Sequence, residues 1–333
     1  MPPVHDDGMI GNTRYRHAIS ILVHEQIEVI IDQCLNFEAF APDSLIMLHV
    51  SASASFEKAC LQKGLDESGC RRTIINPVSR PTGWGSIIDA HLANIRALDA
   101  FCHPHAMIAL NASNDMLLRR LSAQSEADGP RFELREISPT SIWYTGRQFS
   151  QSAAFSALAR KLGCSQMVGS QIEGSTYPLD TLLRLADRVE SLRELFLELP
   201  GVAEEVVFPT WALQHLGEPQ KQPFILFRAS RMTGLAACLI PPRMRGGGRA
   251  DIAQKVANRI ESYLLPPDAA RGDINAVATG RPLTPAAWPH GLRRSRPAIF
   301  YGIKRIARRY DDPLRTYIRT HTSIERARQE SDA

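Results

Sequence analysis

The first 120 residues alternate between short apolar runs and segments with helical periodicity. The short runs are apolar and rich in β-branched residues, which predicts buried strands. They are 17–24 (HAISILVH), 44–50 (SLIMLHV), 72–78 (RTIINPV) and 106–111 (AMIALN). The intervening segments repeat apolar residues every three to four positions, which predicts helices. These are 25–37, 56–65 and 86–101. This alternation predicts an α/β fold with a mainly parallel central sheet flanked by helices.

The second half of the chain has a less regular pattern. Residues 148–163 and 178–198 each carry an apolar stripe at helical spacing and are predicted to form helices. The Gly-rich, basic segment 242–249 is predicted to be a flexible loop. Segment 265–291 is rich in Pro, Gly and Ala and is predicted to be an irregular connection.

Three segments that follow predicted strands are polar, small or glycine-bearing. Their sequences are SASAS after 44–50, RPTGWGS after 72–78 and NASNDM after 106–111. Ligands of open α/β sheets bind beyond the carboxyl ends of the strands, so these segments are the predicted binding edge. The alternative is that they are ordinary surface loops, which are polar in most proteins.

Composition narrows the class of protein. The chain has 333 residues, of which 44% are hydrophobic, and a net charge of +4, so it has enough apolar material for a real core. Its six cysteines form no CxxC pair, which argues against a zinc site and a disulfide framework. The polar N-terminus and the lack of a run of about 18 apolar residues predict a cytoplasmic protein. Peripheral contact with the inner membrane remains open.

Basic residues concentrate in one segment, 291–319 (GLRRSRPAIFYGIKRIARRYDDPLRTYIR). Such a cluster favours an anionic partner, which could be a phosphate, a diphosphate, a nucleic acid or a membrane surface. Composition alone does not choose among them.

Six segments, in order, resemble the core-2/I-branching glycosyltransferases, which include β1,6-N-acetylglucosaminyltransferases and peptide O-xylosyltransferases. The segments are AISILVHEQIEVIIDQCL, LIMLHVSASAS, GWGSIIDAHLANIRAL, MIALNASNDMLL, AEEVVFPTWAL and AIFYGIKRIARRYDDPLR. The resemblance implies a GT-A type fold, meaning one Rossmann-like domain. We accordingly expect a core at 14–240 and a basic C-terminal extension at 241–333 that packs on the donor site.

The resemblance also implies the reaction. It implies transfer of a GlcNAc- or xylose-like sugar from a UDP-sugar to a hydroxyl of a glycan or lipid-linked glycan, with inversion and without a metal or other cofactor. Metal-dependent enzymes of this fold bind Mn²⁺ or Mg²⁺ through an Asp-x-Asp motif, because hard cations prefer paired carboxylates. The chain contains no Asp-x-Asp motif, so no metal ligand is predicted. Arg and Lys would then neutralise the leaving diphosphate.

Glu205 is the predicted catalytic base. An inverting transfer needs one general base to take the proton of the attacking hydroxyl. In the family motif, the catalytic Glu precedes a Thr by five positions, and Glu205 has this spacing to Thr210 whereas Glu204 does not. The alternative is that the Glu204–Glu205 pair simply stabilises a helix N-terminus after Pro200-Gly201.

Other predicted site residues follow from the same resemblance. Those predicted to bind the donor or its diphosphate are Trp84, Ser86, Lys304, Arg305 and Ser51, which replaces the family's Asp. For Ser86 a helix N-cap is a sufficient structural role, and for Lys304 the alternative is a solvated basic face. Asp115 and Glu173 are the predicted acceptor-binding carboxylates, and Asp115 could instead cap the next helix.

Two other functions remain open from the sequence. One is a catalytically inactive relative that binds a sugar nucleotide or a partner protein, since Ser51 and Met116-Leu117 depart from the family pattern. The other is a nucleic-acid-binding protein that uses 291–319, although no nucleic-acid partner is expected under the main interpretation.

Overall fold

A computed structural model describes most of the chain. The described residues are 14–82, 87–121, 129–141, 143–199, 202–219, 221–226, 268–283, 298–304 and 306–331. The predicted loop at 242–249 lies outside these ranges.

The first half of the chain forms the predicted alternation of strands and helices. The strands are β1 (Tyr15–Val23), β2 (Ser44–Val50), β3 (Thr73–Ile75) and β4 (Cys102–Ala112). The helices are α1 (Ile27–Phe40), α2 (Lys58–Glu67) and α3 (Ile87–Leu98). The element types agree with the sequence-based predictions, and the bounds differ by a few residues, most at β3 and at the start of β4.

The strands from residue 116 onward are shorter than most of those before them. The strands are β5 (Met116–Leu117), β6 (Arg135–Glu136), β7 (Val168–Gly169), β8 (Ser175–Pro178), β9 (Ile225–Leu226) and β10 (Gly302–Ile303). The helices are α4 (Tyr144–Ser150), α5 (Ala153–Lys161), α6 (Leu179–Ser191), α7 (Arg193–Leu197), α8 (Glu204–Leu216), α9 (Asp268–Ala278) and α10 (Pro313–Ser331).

Three predictions for this half need correction. The single helix predicted at 148–163 is two helices, because Ser152 starts a new one by accepting a hydrogen bond from the Phe155 amide. The helix predicted at 178–198 begins after a short strand and breaks at Leu192, whose φ of −120° is not helical. The connection predicted at 265–291 contains α9, whose Ile274 and Val277 are buried against Phe300 and Ile303.

The central sheet has five strands in the order β3-β2-β1-β4-β8. The first four strands are parallel to their neighbours, and β8 pairs antiparallel with β4. The sheet is therefore mixed, because an edge strand that the sequence pattern did not reveal runs against the others. This direction places the start of β8 beside the carboxyl end of β4, where Leu110 pairs with Ser175.

Alternate residues of the strands fill two separate apolar cores, as a sheet covered on both faces requires. Ile19, Ile46 and Leu48 face the core that α1 and α2 cover. Ala18 and Met47 face the opposite core, which α3, α6 and α8 cover. The flanking helices on both faces confirm the predicted layer architecture. Within the described ranges, no helix combines the length and the apolar character needed to cross a membrane.

The C-terminal helix α10 is fixed to α1 by buried ion pairs. Arg315 is fully buried, and its Nη1 atom lies 2.8 Å from Oδ2 of Asp32. Arg319 approaches the other oxygen of Asp32 at 2.9 Å. Asn36 of α1 also donates a hydrogen bond to Thr322 at 3.0 Å. Two arginines of the basic segment 291–319, Arg315 and Arg319, therefore stabilise the fold through ion pairs with Asp32.

Candidate functional site

A cavity of about 80 Å³ with a mixed apolar and polar lining lies at the carboxyl ends of β1 and β4. Parallel strands place their carboxyl ends on one edge, which is where α/β sheets bind ligands. The described residues that line it are Leu22, His24, Thr82, Ile87, His91, Asn111, Ala112, Ser113, Ile172, Glu173, Glu204 and Arg308. This space can hold several water molecules, and its walls carry carboxylates, amides, hydroxyls and a guanidinium.

Asp115 lies just beyond β4 and is fully buried. One oxygen, Oδ2, accepts hydrogen bonds from the Ala112 amide at 2.9 Å and from Asn111 at 3.1 Å. The other oxygen, Oδ1, has no hydrogen-bond partner within the described residues. Burial raises the pKa of Asp115 to about 8; the negative charge of Glu173 adds to this rise, and the positive charge of Lys304 opposes it. Asp115 is therefore largely protonated at neutral pH.

Glu173, which is buried, and Lys304, which is half-buried, form an ion pair beside Asp115. Lys304 follows β10, and its ammonium group contacts Oε1 of Glu173. Glu173 owes its position to Gly174, which has a φ of +76° that favours glycine. A Cβ at Gly174 would lie 2.5 Å from the Ile225 amide nitrogen, so a side chain there would clash with β9. The sequence-predicted donor residue Lys304 and acceptor residue Glu173 are thus in direct contact.

Glu204 and Glu205 begin α8. Glu204 is buried and lines the cavity, whereas Glu205 is partly buried and accepts a hydrogen bond from Thr145 at 3.4 Å. Burial raises the pKa of Glu204 to about 8, and the adjacent Glu205 adds to this rise. Burial also raises the pKa of Glu205, while the positive charge of Arg135 lowers it. Both carboxyls are thus less acidic than in water.

The backbone just before this pair is strained. Val202 has a φ of +62°, in the left-handed region that a β-branched residue rarely adopts. Strain of this kind costs on the order of 1–3 kcal/mol and is concentrated at active sites and ligand-binding loops. It adds an independent reason to place function at the start of α8.

Pro209 is the reason why a backbone carbonyl of α8 bonds to the segment that carries Glu173. Proline has no amide hydrogen, so it cannot donate the usual helical bond to the carbonyl four residues earlier. That carbonyl belongs to Glu205, and it accepts a hydrogen bond from the Ser170 amide at 2.8 Å. Thr210 reinforces the connection, since its hydroxyl donates to the Val168 carbonyl at 2.9 Å and accepts from the Val168 amide at 3.1 Å.

A further buried carboxylate, Glu25, binds an arginine at the rim of the cavity. Glu25 follows β1, and its Oε1 atom lies 2.9 Å from Nε of Arg308. The same oxygen accepts a hydrogen bond from the Ser113 hydroxyl. Arg308 itself is exposed, so its guanidinium connects the cavity to solvent.

Glu204 should make stability depend on pH. Its pKa is about 8 in the folded protein and about 4.5 when unfolded, so the folded state binds the proton more tightly. This contribution is complete below pH 4.5 and is lost as the pH rises to about 8. Each unit of pKa difference corresponds to about 1.4 kcal/mol. We expect Glu204→Gln, which mimics the protonated acid, to show a smaller loss of stability between pH 5 and pH 8 in urea unfolding.

Asp115 titrates over the same range, so the variant should keep part of the wild-type slope. Identical slopes for the wild type and Glu204→Gln would contradict the burial of an ionisable Glu204.

The remaining predicted residues occupy different positions. Ser51 is buried at the end of β2, where its hydroxyl accepts from the Thr82 amide at 3.2 Å and bonds Ser53 at 2.9 Å. It therefore connects two loops of the binding edge. Trp84, Ser86 and Arg305 lie outside the described residues.

The sequence did not single out Glu25, Arg308 or His91 for the site. Glu25 directly follows a predicted strand, and this position is the signal in the sequence that could have identified it as a site residue. His91 lies on the apolar face of a predicted helix, where a histidine is usually a core residue, so no pattern distinguished it. Arg308 was one of many arginines in a basic segment, and only the fold shows which one reaches the cavity.

Comparisons with known proteins leave the family open. A scan against protein families finds no match for the chain, and a search of curated proteins finds none either. Among the described residues, no cluster of three or more His, Cys, Asp or Glu side chains is arranged to hold a metal ion. The resemblance stated above therefore remains a prediction.

Proposed function

We propose that the chain is an inverting glycosyltransferase that moves a sugar from a UDP-sugar to a hydroxyl of a glycan acceptor without a metal. The observation that carries the proposal is the position of the Glu204–Glu205 pair. The pair begins helix α8 at the carboxyl edge of the sheet, Glu204 lines the cavity there, and burial raises the pKa of both carboxyls. A carboxylate with a raised pKa is suited to general-base catalysis near neutral pH.

The proposed chemistry is a single displacement. The acceptor hydroxyl oxygen forms a bond to the anomeric carbon while the bond from that carbon to the UDP oxygen breaks. UDP leaves with the electron pair, the hydroxyl proton passes to Glu205, and the anomeric configuration inverts. Glu204, which is protonated near neutral pH, leaves Glu205 as the member of the pair that accepts the proton.

Lys304 and Arg308 are the cations proposed to face the diphosphate. Both contact carboxylates here, Glu173 and Glu25 respectively. A diphosphate would compete with these carboxylates for the same cations, and charge-assisted bonds to phosphate are strong enough to do so. Glu173, which lines the cavity, would accept hydrogen bonds from sugar hydroxyls, and Asp115 would support it from a fully buried position.

The proposal includes a GT-A type core within 14–240, followed by an extension at 241–333. Its support is the strand order β3-β2-β1-β4, which places the ends of β1 and β4 side by side at the cavity. Lys304 and Arg308, which belong to the extension, contact carboxylates that belong to the core. A cytoplasmic location with peripheral contact to an anionic membrane also belongs to the proposal.

The test is a donor screen with the purified full-length chain. UDP release would be measured for UDP-GlcNAc, UDP-xylose and other nucleotide sugars with a panel of glycan acceptors, with and without a chelator. We expect one UDP-sugar to stand out and the chelator to leave its rate unchanged. Absence of both binding and turnover for every donor would refute the proposal, and strong dependence on Mn²⁺ would refute its metal-free part.

A further inference from the structure

His91 lies at the floor of the cavity. It belongs to α3, is 1% exposed and lines the cavity beside Glu173 and Glu204. Its Nδ1 atom lies 2.9 Å from the Ser20 hydroxyl, and its ring packs edge-on against Phe208. With Nδ1 engaged, Nε2 is the ring nitrogen available to a ligand.

A chain of buried hydrogen bonds determines where the His91 proton resides. Asn94 donates one amide hydrogen to the Ser20 hydroxyl at 2.9 Å and the other to the Met47 carbonyl at 3.0 Å. Its oxygen accepts from Asn76 at 2.8 Å, which fixes the orientation of the amide. Ser20 therefore accepts from Asn94, and Nδ1 of His91 is the acceptor that its own hydrogen meets among the contacts of the described residues. This arrangement favours the tautomer with the imidazole hydrogen on Nε2.

The imidazole is neutral throughout the physiological range. Burial lowers the pKa of His91 to about 3, and the positive charge of His49 adds to this effect. The residue therefore presents a neutral N–H donor at a wall that otherwise carries the carboxyl groups of Glu173 and Glu204.

We propose that Nε2–H of His91 donates a hydrogen bond to an oxygen of the transferred sugar and thereby selects the donor. This inference rests on the proposed function. A cavity that combines one fixed neutral donor with carboxyl groups and the Asn111 amide matches a polyhydroxylated ring, whose hydroxyls both donate and accept. A ligand without an oxygen at that point leaves a buried donor unpaired and therefore binds more weakly.

Two variants of His91 separate this role from a structural one. In His91→Asn the side-chain amide reaches only the Nδ1 position, so the bond to Ser20 survives and the cavity donor is lost. In His91→Gln the amide reaches the Nε2 position and keeps a donor there. Binding of UDP-GlcNAc, UDP-xylose and UDP would be measured by calorimetry for each protein. We expect His91→Asn to weaken binding of the preferred UDP-sugar about tenfold, with UDP unchanged and His91→Gln close to the wild type.

The outcomes are distinguishable. Equal binding of the UDP-sugar by the wild type and His91→Asn, or an equal loss for UDP and the UDP-sugar, would overturn the role of His91 alone. Failure of the wild type to bind any UDP-sugar would overturn the proposed function and this inference together.

A measurement on the wild-type protein tests the inference even if the variants do not fold. Nitrogen-15 NMR of the histidines should show His91 protonated at Nε2, with a shift on addition of the UDP-sugar and none with UDP. Protonation at Nδ1 would overturn the inference.

Discussion

Replacement of Asp32 by alanine should lower the free energy of unfolding by about 3–5 kcal/mol, because it leaves a buried charge without its partner. Arg315 is fully buried, and Asp32 is the carboxylate that its guanidinium contacts. Arg319 would lose the same partner. The change would therefore weaken the attachment of α10 to α1, and the urea midpoint followed by circular dichroism should fall accordingly.

A matched control removes a carboxylate from an exposed ion pair. Glu67 pairs with Lys63 on the surface of α2 at 3.7 Å, with both side chains largely exposed. Glu67→Ala should cost less than about 1 kcal/mol, since exposed pairs contribute little. If Asp32→Ala and Glu67→Ala had the same midpoint, the anchoring role of Asp32 would be wrong.

The second large effect is expected at Glu205. Glu205→Gln keeps the size and shape of the side chain, but an amide replaces the carboxylate and cannot accept the acceptor's proton. General-base catalysis contributes on the order of 10²–10⁴-fold to rate, so kcat should fall by about that factor while donor binding is kept. UDP release with the preferred donor measures kcat, and calorimetry measures binding.

Glu204→Gln is the matched control for this prediction. Glu204 is adjacent in the chain and is protonated near neutral pH, a state that glutamine imitates. Its effect on kcat below pH 8 should therefore be much smaller than that of Glu205→Gln. If Glu205→Gln kept full turnover and Glu204→Gln abolished it, the base would be Glu204, which lines the cavity.

The fold could be predicted where the hydrophobic pattern of a segment matches its burial in the folded protein. The run 44–50 is apolar at five of its seven positions and forms β2 with the same bounds, because both faces of this strand are buried. β8 escaped prediction because Ser175–Pro178 is a short polar segment whose strand geometry depends on pairing with β4. α9 was not predicted because the Pro and Gly residues around it favour an irregular segment. Its helical structure depends on burial against β10.

The sequence pointed to some of the residues at the cavity individually, but it missed others and did not give their arrangement. Asp115 and Glu173 were singled out as carboxylates, and Lys304 as a cation, each from its own segment. Their mutual proximity depends on the sheet order and on β10, which brings Lys304 to Glu173 across 131 positions of the chain. Charge partners so distant in sequence leave no local trace, so the raised pKa of Asp115 could not have been inferred.

Pro209 has a consequence for how the site assembles. Because Pro209 has no amide hydrogen, α8 by itself leaves the Glu205 carbonyl without its usual helical hydrogen bond. The Glu205 carbonyl is satisfied when Ser170 is in place, and Ser170 is close in the chain to Glu173. The environments of Glu205 and Glu173 are thereby coupled and should form cooperatively.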